Sequence, residues 1–158
     1  MKSFFKPVFL IQIMILLSSC GENALYDEQF TIENGQWPKD KAIHFEVEVP
    51  DTITPYDFYL IVRHTNNYRY SNIYFFLNTD FPNNNKTRDT IECILANNEG
   101  KWLGKGWGEM KEDDILLNKN MHFPVTGKYD FYFIQAMRQD TLKDIVSLGL
   151  KIVEAQQY

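Results

Sequence analysis

The sequence predicts an all-β protein: an antiparallel β-sandwich, jelly-roll or Ig-like in topology, behind a short N-terminal export segment. Three observations predict it. Apolar and polar residues alternate with period two along most of the chain after residue 40, the pattern of strands that rest one face on a core. The alternating runs are short and are separated by turn clusters such as Phe81-Pro82-Asn83-Asn84-Asn85 and Asn97-Asn98-Glu99-Gly100. Outside the N-terminus, no long segment holds a helical period.

The first segment, residues 1–19, reads as a lipoprotein signal peptide. Lys2 and Lys6 give a positive start, and Val8 to Leu17 is apolar apart from Gln12. Ten apolar residues rise only ~15 Å as a helix, about half the thickness of a hydrocarbon core, so the run is too short for a permanent span. Leu17-Ser18-Ser19-Cys20 then matches the bacterial lipobox, a leucine and two small residues before a cysteine. The match implies cleavage before Cys20 and a covalent lipid on its thiol. Two or more acyl chains anchor a protein stably, so the membrane is the first expected partner. The mature chain, without Lys2 and Lys6, carries 14 basic against 21 acidic residues, a formal charge of −7. Such a body gains nothing by lying on anionic lipid.

Residues 20–40 are expected to hold the lipidated cysteine, a tether and a possible, loosely paired first strand. The sandwich itself is expected over residues 41–158. Ile43, Phe45, Val47 and Val49 alternate with His44, Glu46 and Glu48, and Pro50 ends the run because it cannot donate to a ladder. Phe58 to Thr65 puts Phe58, Leu60 and Val62 on one face. Ile73 to Thr79 is apolar enough on both sides to suggest a sandwich interior. Thr87 to Leu95 is a fourth strand, and Ile115 to Phe123 a weaker fifth. Gly127 to Gln135 is the clearest, with Tyr129, Phe131 and Phe133 alternating with Asp130, Tyr132 and Ile134. Leu142 to Ile145 reads as one helical turn, and Val146 to Val153 as the last strand.

Composition narrows the function. The chain has 158 residues, so it holds one ordinary domain, and 44% of them are apolar, which excludes disorder as a description of the whole. Sixteen basic against 21 acidic residues do not make the basic footprint a nucleic-acid binder needs. Two cysteines exclude a disulfide-dense miniprotein and a four-cysteine zinc module. With Cys20 acylated, Cys93 is left as a buried small hydrophobe in a strand-like run. His44, His64 and His122 fall on different strand candidates in no ligand spacing, and no Gly-x-Ser-x-Gly elbow occurs. Glu109, Glu112, Asp113 and Asp114 lack a calcium-loop pattern and read as a solvated acidic turn. The expectation is therefore a non-catalytic protein without metal or cofactor, for which a small-molecule substrate is not expected.

Two segments stand out as surfaces. Gly100 to Glu109 places Trp102 and Trp107 among four glycines. The glycines suit close backbone approach or a sharp bend, and the rings suit either the edge of the core or a partner. Tyr68-Arg69-Tyr70 falls at a strand-to-strand turn, and exposed tyrosine and arginine are favoured in protein interfaces. Trp102, Trp107, Tyr68, Arg69 and Tyr70 are thus the candidate partner surface. The competing expectation is that these rings pack on the domain itself. The competing function is an envelope glycan-binding module with stacked, exposed rings.

The order of motifs carries a resemblance. After Leu17-Ser18-Ser19-Cys20 come Tyr26-Asp27-Glu28, then Pro50 to Tyr56 and Asn66 to Asn72. Gly100-Lys101-Trp102-Leu103-Gly104-Lys105-Gly106 and Gln135-Ala136-Met137-Arg138 follow. Across essentially its whole length the chain resembles the gliding motility lipoprotein GldH family of the Bacteroidetes. The resemblance implies an accessory, non-enzymatic component of gliding motility associated with type IX secretion. It implies other envelope, gliding or secretion proteins as partners, and it supplies no catalytic residues. Glu22 alone follows Cys20 where an acid-rich stretch would signal surface export, so the expected place is the periplasmic face of the outer membrane.

Overall fold

The computed structural model describes residues 23–156; the signal peptide expected over 1–19 and the lipidation expected at Cys20 lie outside the described residues. Among the described residues there are ten strands: β1 (Ala24–Thr31), β2 (Gln36–Pro38), β3 (Ile43–Val49), β4 (Tyr56–Thr65), β5 (Asn72–Asp80), β6 (Lys86–Ile94), β7 (Met110–Met121), β8 (Gly127–Gln135), β9 (Thr141–Lys143) and β10 (Ile145–Glu154). They form two four-stranded antiparallel sheets, ordered β1-β10-β4-β7 and β3-β8-β5-β6, and a small sheet β2-β9.

This order decides between the two expected topologies. With β2 and β9 set aside, the first strand pairs with the last, β1 with β10. The second pairs with the second last, β3 with β8, the third with the third last, β4 with β7, and the middle two form the hairpin β5–β6. One long ribbon of nested ladders is thus rolled up until β10 also meets β4 and β8 also meets β5. That is the jelly roll.

Alternation builds the core as the sequence suggests. Burial along β3 strictly alternates, with Ile43, Phe45, Val47 and Val49 inside, and β4, β5 and β8 behave alike. Rings meet across the sandwich: Phe58 of β4 and Phe131 of β8 are 5.3 Å apart edge to face, and Tyr26 of β1 meets Phe45 of β3 at 6.2 Å. The outer side of β5, also apolar in sequence, is half-buried, and the Arg88 guanidinium lies 4.2 Å from the Phe76 ring there.

Three expectations are corrected. The acidic run is no turn: β7 starts at Met110, and Glu112, Asp113 and Asp114 sit inside its ladder with β4. Leu142 to Ile145 is no helical turn: β9 pairs with β2, Asp144 turns the chain at φ 69°, and β10 begins at Ile145. The first strand is not loosely held: β1 is in register with β10 from Tyr26 to Thr31, past a bulge after Ala24. Trp37 of β2 and Leu142 of β9 are fully buried and close one end of the sandwich, where the Trp37 indole N–H donates to the Lys41 carbonyl at 2.8 Å.

Cys93 lies inside β6, 1% exposed, and burial pushes its thiol up to about 12. A thiol so shifted stays protonated and unreactive near neutrality. Native protein at pH 8 is expected to resist alkylation at Cys93 and to react at once in denaturant, read as a mass increment; prompt labelling of the native state would contradict the burial.

Candidate partner surface

The ladder registers define two ends of the sandwich. Ala24, Val153, Asp57 and Tyr56, and Met121 lie near one end of the first sheet. Thr31, Ser147, Arg63 and Glu112 form a row near the other, just short of the β4–β7 pair Thr65–Met110. Every candidate binding residue sits at this second end, on the loops leaving β4 and β6. A ten-residue strand such as β4 spans ~30 Å, and that is the distance from the start of β1 to these loops.

The glycines hold the β6–β7 loop down. Lys105 and Glu112 exchange both backbone hydrogen bonds, at 2.8 and 2.7 Å, so the loop adds a short bridge to β7. A Cβ on Gly104 would stand 2.5 Å from the Asp113 carboxylate, and one on Gly106 would overlap the Met110 carbonyl. Leu103 N–H donates to the Leu95 carbonyl at 2.8 Å, and Ala96 and Trp102 form a bridge. Asn97 starts the loop with an Asx turn, its Oδ1 accepting from the amides of Glu99 and Lys101.

Under this loop lies a buried pair. His64 is 0% and Asp113 5% exposed, and His64 Nε2 is 3.2 Å from Asp113 Oδ2. His64 Nδ1 donates to the Thr65 carbonyl at 2.9 Å. Since that carbonyl only accepts, Nδ1 carries the hydrogen, and Nε2 faces the Asp113 carboxylate. Trp102 packs over the imidazole at 4.5 Å and Tyr68 flanks it at 5.7 Å. Both residues of the pair lie on inward strand positions: His64 follows Phe58, Leu60 and Val62, and Asp113 precedes Ile115 and Leu117. That parity was the available signal for a pair that the sequence reading missed.

The candidate residues separate by exposure. Tyr68 is buried, burial raises its phenol above the usual range, and its hydroxyl donates to the Asn72 carbonyl at 3.0 Å. Tyr70 is half-buried, 5.7 Å from Tyr68, and its hydroxyl accepts from Gln139 Nε2. Trp102 is half-buried against the core, Arg69 is exposed, and Trp107 stands 97% exposed. Asn66 ties the two loops together, its amide to the Glu109 carbonyl and its side chain to that of Gly108. The structure therefore gathers Tyr68, Tyr70 and Trp102 into a rigid platform around His64 and leaves Arg69 and Trp107 facing solvent, with Leu103 and Met110 partly exposed on the same loop and the strand after it. Among the described residues no group of three His, Cys, Asp or Glu is placed to hold a metal ion.

Residues 24–152 match a family model described as GldH lipoprotein. The chain is 34% identical to a gliding motility lipoprotein GldH homolog of Christiangramia forsetii, over 96% of this chain and 97% of that one. It is 28% identical to the gliding motility lipoprotein GldH of Flavobacterium johnsoniae, over 90% and 92% respectively. A solved structure of infectious bursal disease virus, Gx strain, overlaps 85% of this chain and 34% of its own at 12% identity, with a TM-score of 0.27, too low to carry an argument.

Proposed function

Because the chain belongs to the GldH lipoprotein family, we propose that Cys20 is its anchor and that the loops bearing Arg69 and Trp107 are its working face. It is a GldH-like gliding motility lipoprotein, lipid-anchored in the cell envelope. Cys20 precedes Ala24 by four residues, so the domain starts within ~14 Å of its lipid. The loops stand about 30 Å further from the bilayer, one strand length away. The start of β1 and the exposed Trp107 lie at opposite ends of the sandwich, and this supports the reading: the domain is a short pillar whose free end meets other envelope proteins of the gliding or secretion machinery. It acts without catalysis, on the periplasmic face of the outer membrane.

Trp107 and Arg69 are of the residue types that dominate interface energetics, and Trp107 rests on nothing else in the domain. Trp107→Ala combined with Arg69→Ala is expected to weaken in-cell crosslinking to partner proteins about tenfold, the loss typical of a hot spot, with an unchanged melting temperature. Equal crosslinking by variant and parent would remove this surface from the account. The glycan-binding alternative calls for two coplanar exposed rings; Trp102 is turned onto His64, and Trp107 stands alone.

A further inference from the structure

The two long seams of the jelly roll are closed differently. Along one, β1 and β3 face each other and Tyr26 packs on Phe45. Along the other, β6 and β7 are the last strands of their sheets, and the β6–β7 loop bridges them only at the Trp107 end. Toward the opposite end the seam parts over a cleft of about 310 Å³. Buried Phe58, Leu77, Phe123 and Phe131 form its floor, and half-buried Ile91 and Leu117 its walls. Polar groups, Asp89, Asn118 and His122 among them, stand in a lining that is otherwise mostly apolar. The volume falls at the lower end of the range for ligand pockets.

The position of the cleft names an occupant. Met121 lines it and pairs with Tyr56 of β4, whose neighbour Asp57 is in register with Val153 of β10, itself in register with Ala24 of β1. The cleft therefore opens at the end where the chain emerges from its anchor, three strand spacings or ~14 Å across the sheet from Ala24. Four peptide steps separate Ala24 from Cys20 and reach ~14 Å when extended. An acyl chain on Cys20 thus starts within reach of an apolar cleft that faces the same bilayer. We propose that this cleft holds one of the acyl chains carried by Cys20, the remaining chains staying in the membrane. The inference rests on lipidation of Cys20. It adds a second attachment of the domain to its own lipid, which fixes how the body is rotated on the bilayer.

The full-length protein, expressed in cells fed a photoactivatable fatty acid and irradiated in its own membranes, tests this. The expected product is an intramolecular crosslink from the labelled Cys20 peptide to peptides containing Ile91 or Leu117. Leu117→Trp and, separately, Ile91→Trp fill the cleft and are expected to lower that crosslink about tenfold, while Trp107→Ala leaves it unchanged. Label on Cys20 that reaches only phospholipid or other proteins overturns the proposal. So does a cleft labelled by phospholipid-borne fatty acid instead of the anchor. Absence of label from Cys20 itself removes the lipidation and the occupant together, and is told apart from the other results by the mass of the N-terminal peptide.

Discussion

The Asp113→Ala variant is expected to lose about 1–3 kcal/mol of stability, the cost of leaving a fully buried imidazole nitrogen without its partner. His64 is fully enclosed, with one ring nitrogen on the Thr65 carbonyl and the other on Asp113. Alanine leaves that second nitrogen facing a cavity beside the Trp102 and Tyr68 rings. The loss also reaches the surface, because Gly104 lies directly on the missing carboxylate. Urea titration of the purified protein gives the comparison. Glu112→Ala, one residue away, breaks only the partly exposed ion pair with Arg63 and is expected to cost no more than ~1 kcal/mol. Equal midpoints for the two variants would show that the buried pair does not support the fold. In Asp113→Ala the Trp107 loop loses its footing, so partner crosslinking is expected to fall with stability, unlike the surface variant at Trp107.

The second large effect lies at the anchor. Cys20→Ala is expected to abolish incorporation of labelled fatty acid, to leave the chain as the longer unprocessed precursor, and to lower its share of the lipid-anchored envelope fraction. Only two cysteines exist, and the other, Cys93, is 1% exposed in β6 with its thiol held protonated by burial. No second thiol is therefore free to take the lipid. The unprocessed chain keeps its formal charge of −5, so charge gives the domain no affinity for anionic bilayers. Metabolic labelling, gel mobility and membrane fractionation report the three parts separately. Undiminished label in the Cys20→Ala protein would place the lipid elsewhere.

Strands that cover the core on one side were legible because burial imposes period two: β3 and β8 begin and end at the residues where alternation begins and ends. Three elements were less legible, each for its own reason. β1, Ala-Leu-Tyr-Asp-Glu-Gln-Phe-Thr, is an edge strand exposed along much of both faces, so its place comes from the β10 ladder and not from a pattern of its own. The start of β7 carries Lys111 to Asp114, a charge run typical of a turn, yet Asp113 is drawn inside by a histidine 49 positions earlier. β9 is three residues long and is defined by its partner β2, about a hundred residues back. Jelly roll and Ig-like remained open for a similar reason: alternation is local, whereas strand order depends on which distant ladders close. At the candidate surface, residue type identified the loops, and only packing could separate the supports Tyr68 and Trp102 from the exposed Trp107 and Arg69.

The nesting of the ladders also fixes an order of assembly. The β5–β6 hairpin joins neighbours in sequence, whereas β1 and β10 join residues 24–31 to residues 147–153. Distant pairings carry the largest loop-closure cost and form slowly. β10 also sits between β1 and β4 in its sheet, so the amino-terminal strand has no neighbour there until the carboxyl-terminal strand arrives. In a chain delivered from its amino terminus, β1 consequently waits unpaired until almost the last strand has followed.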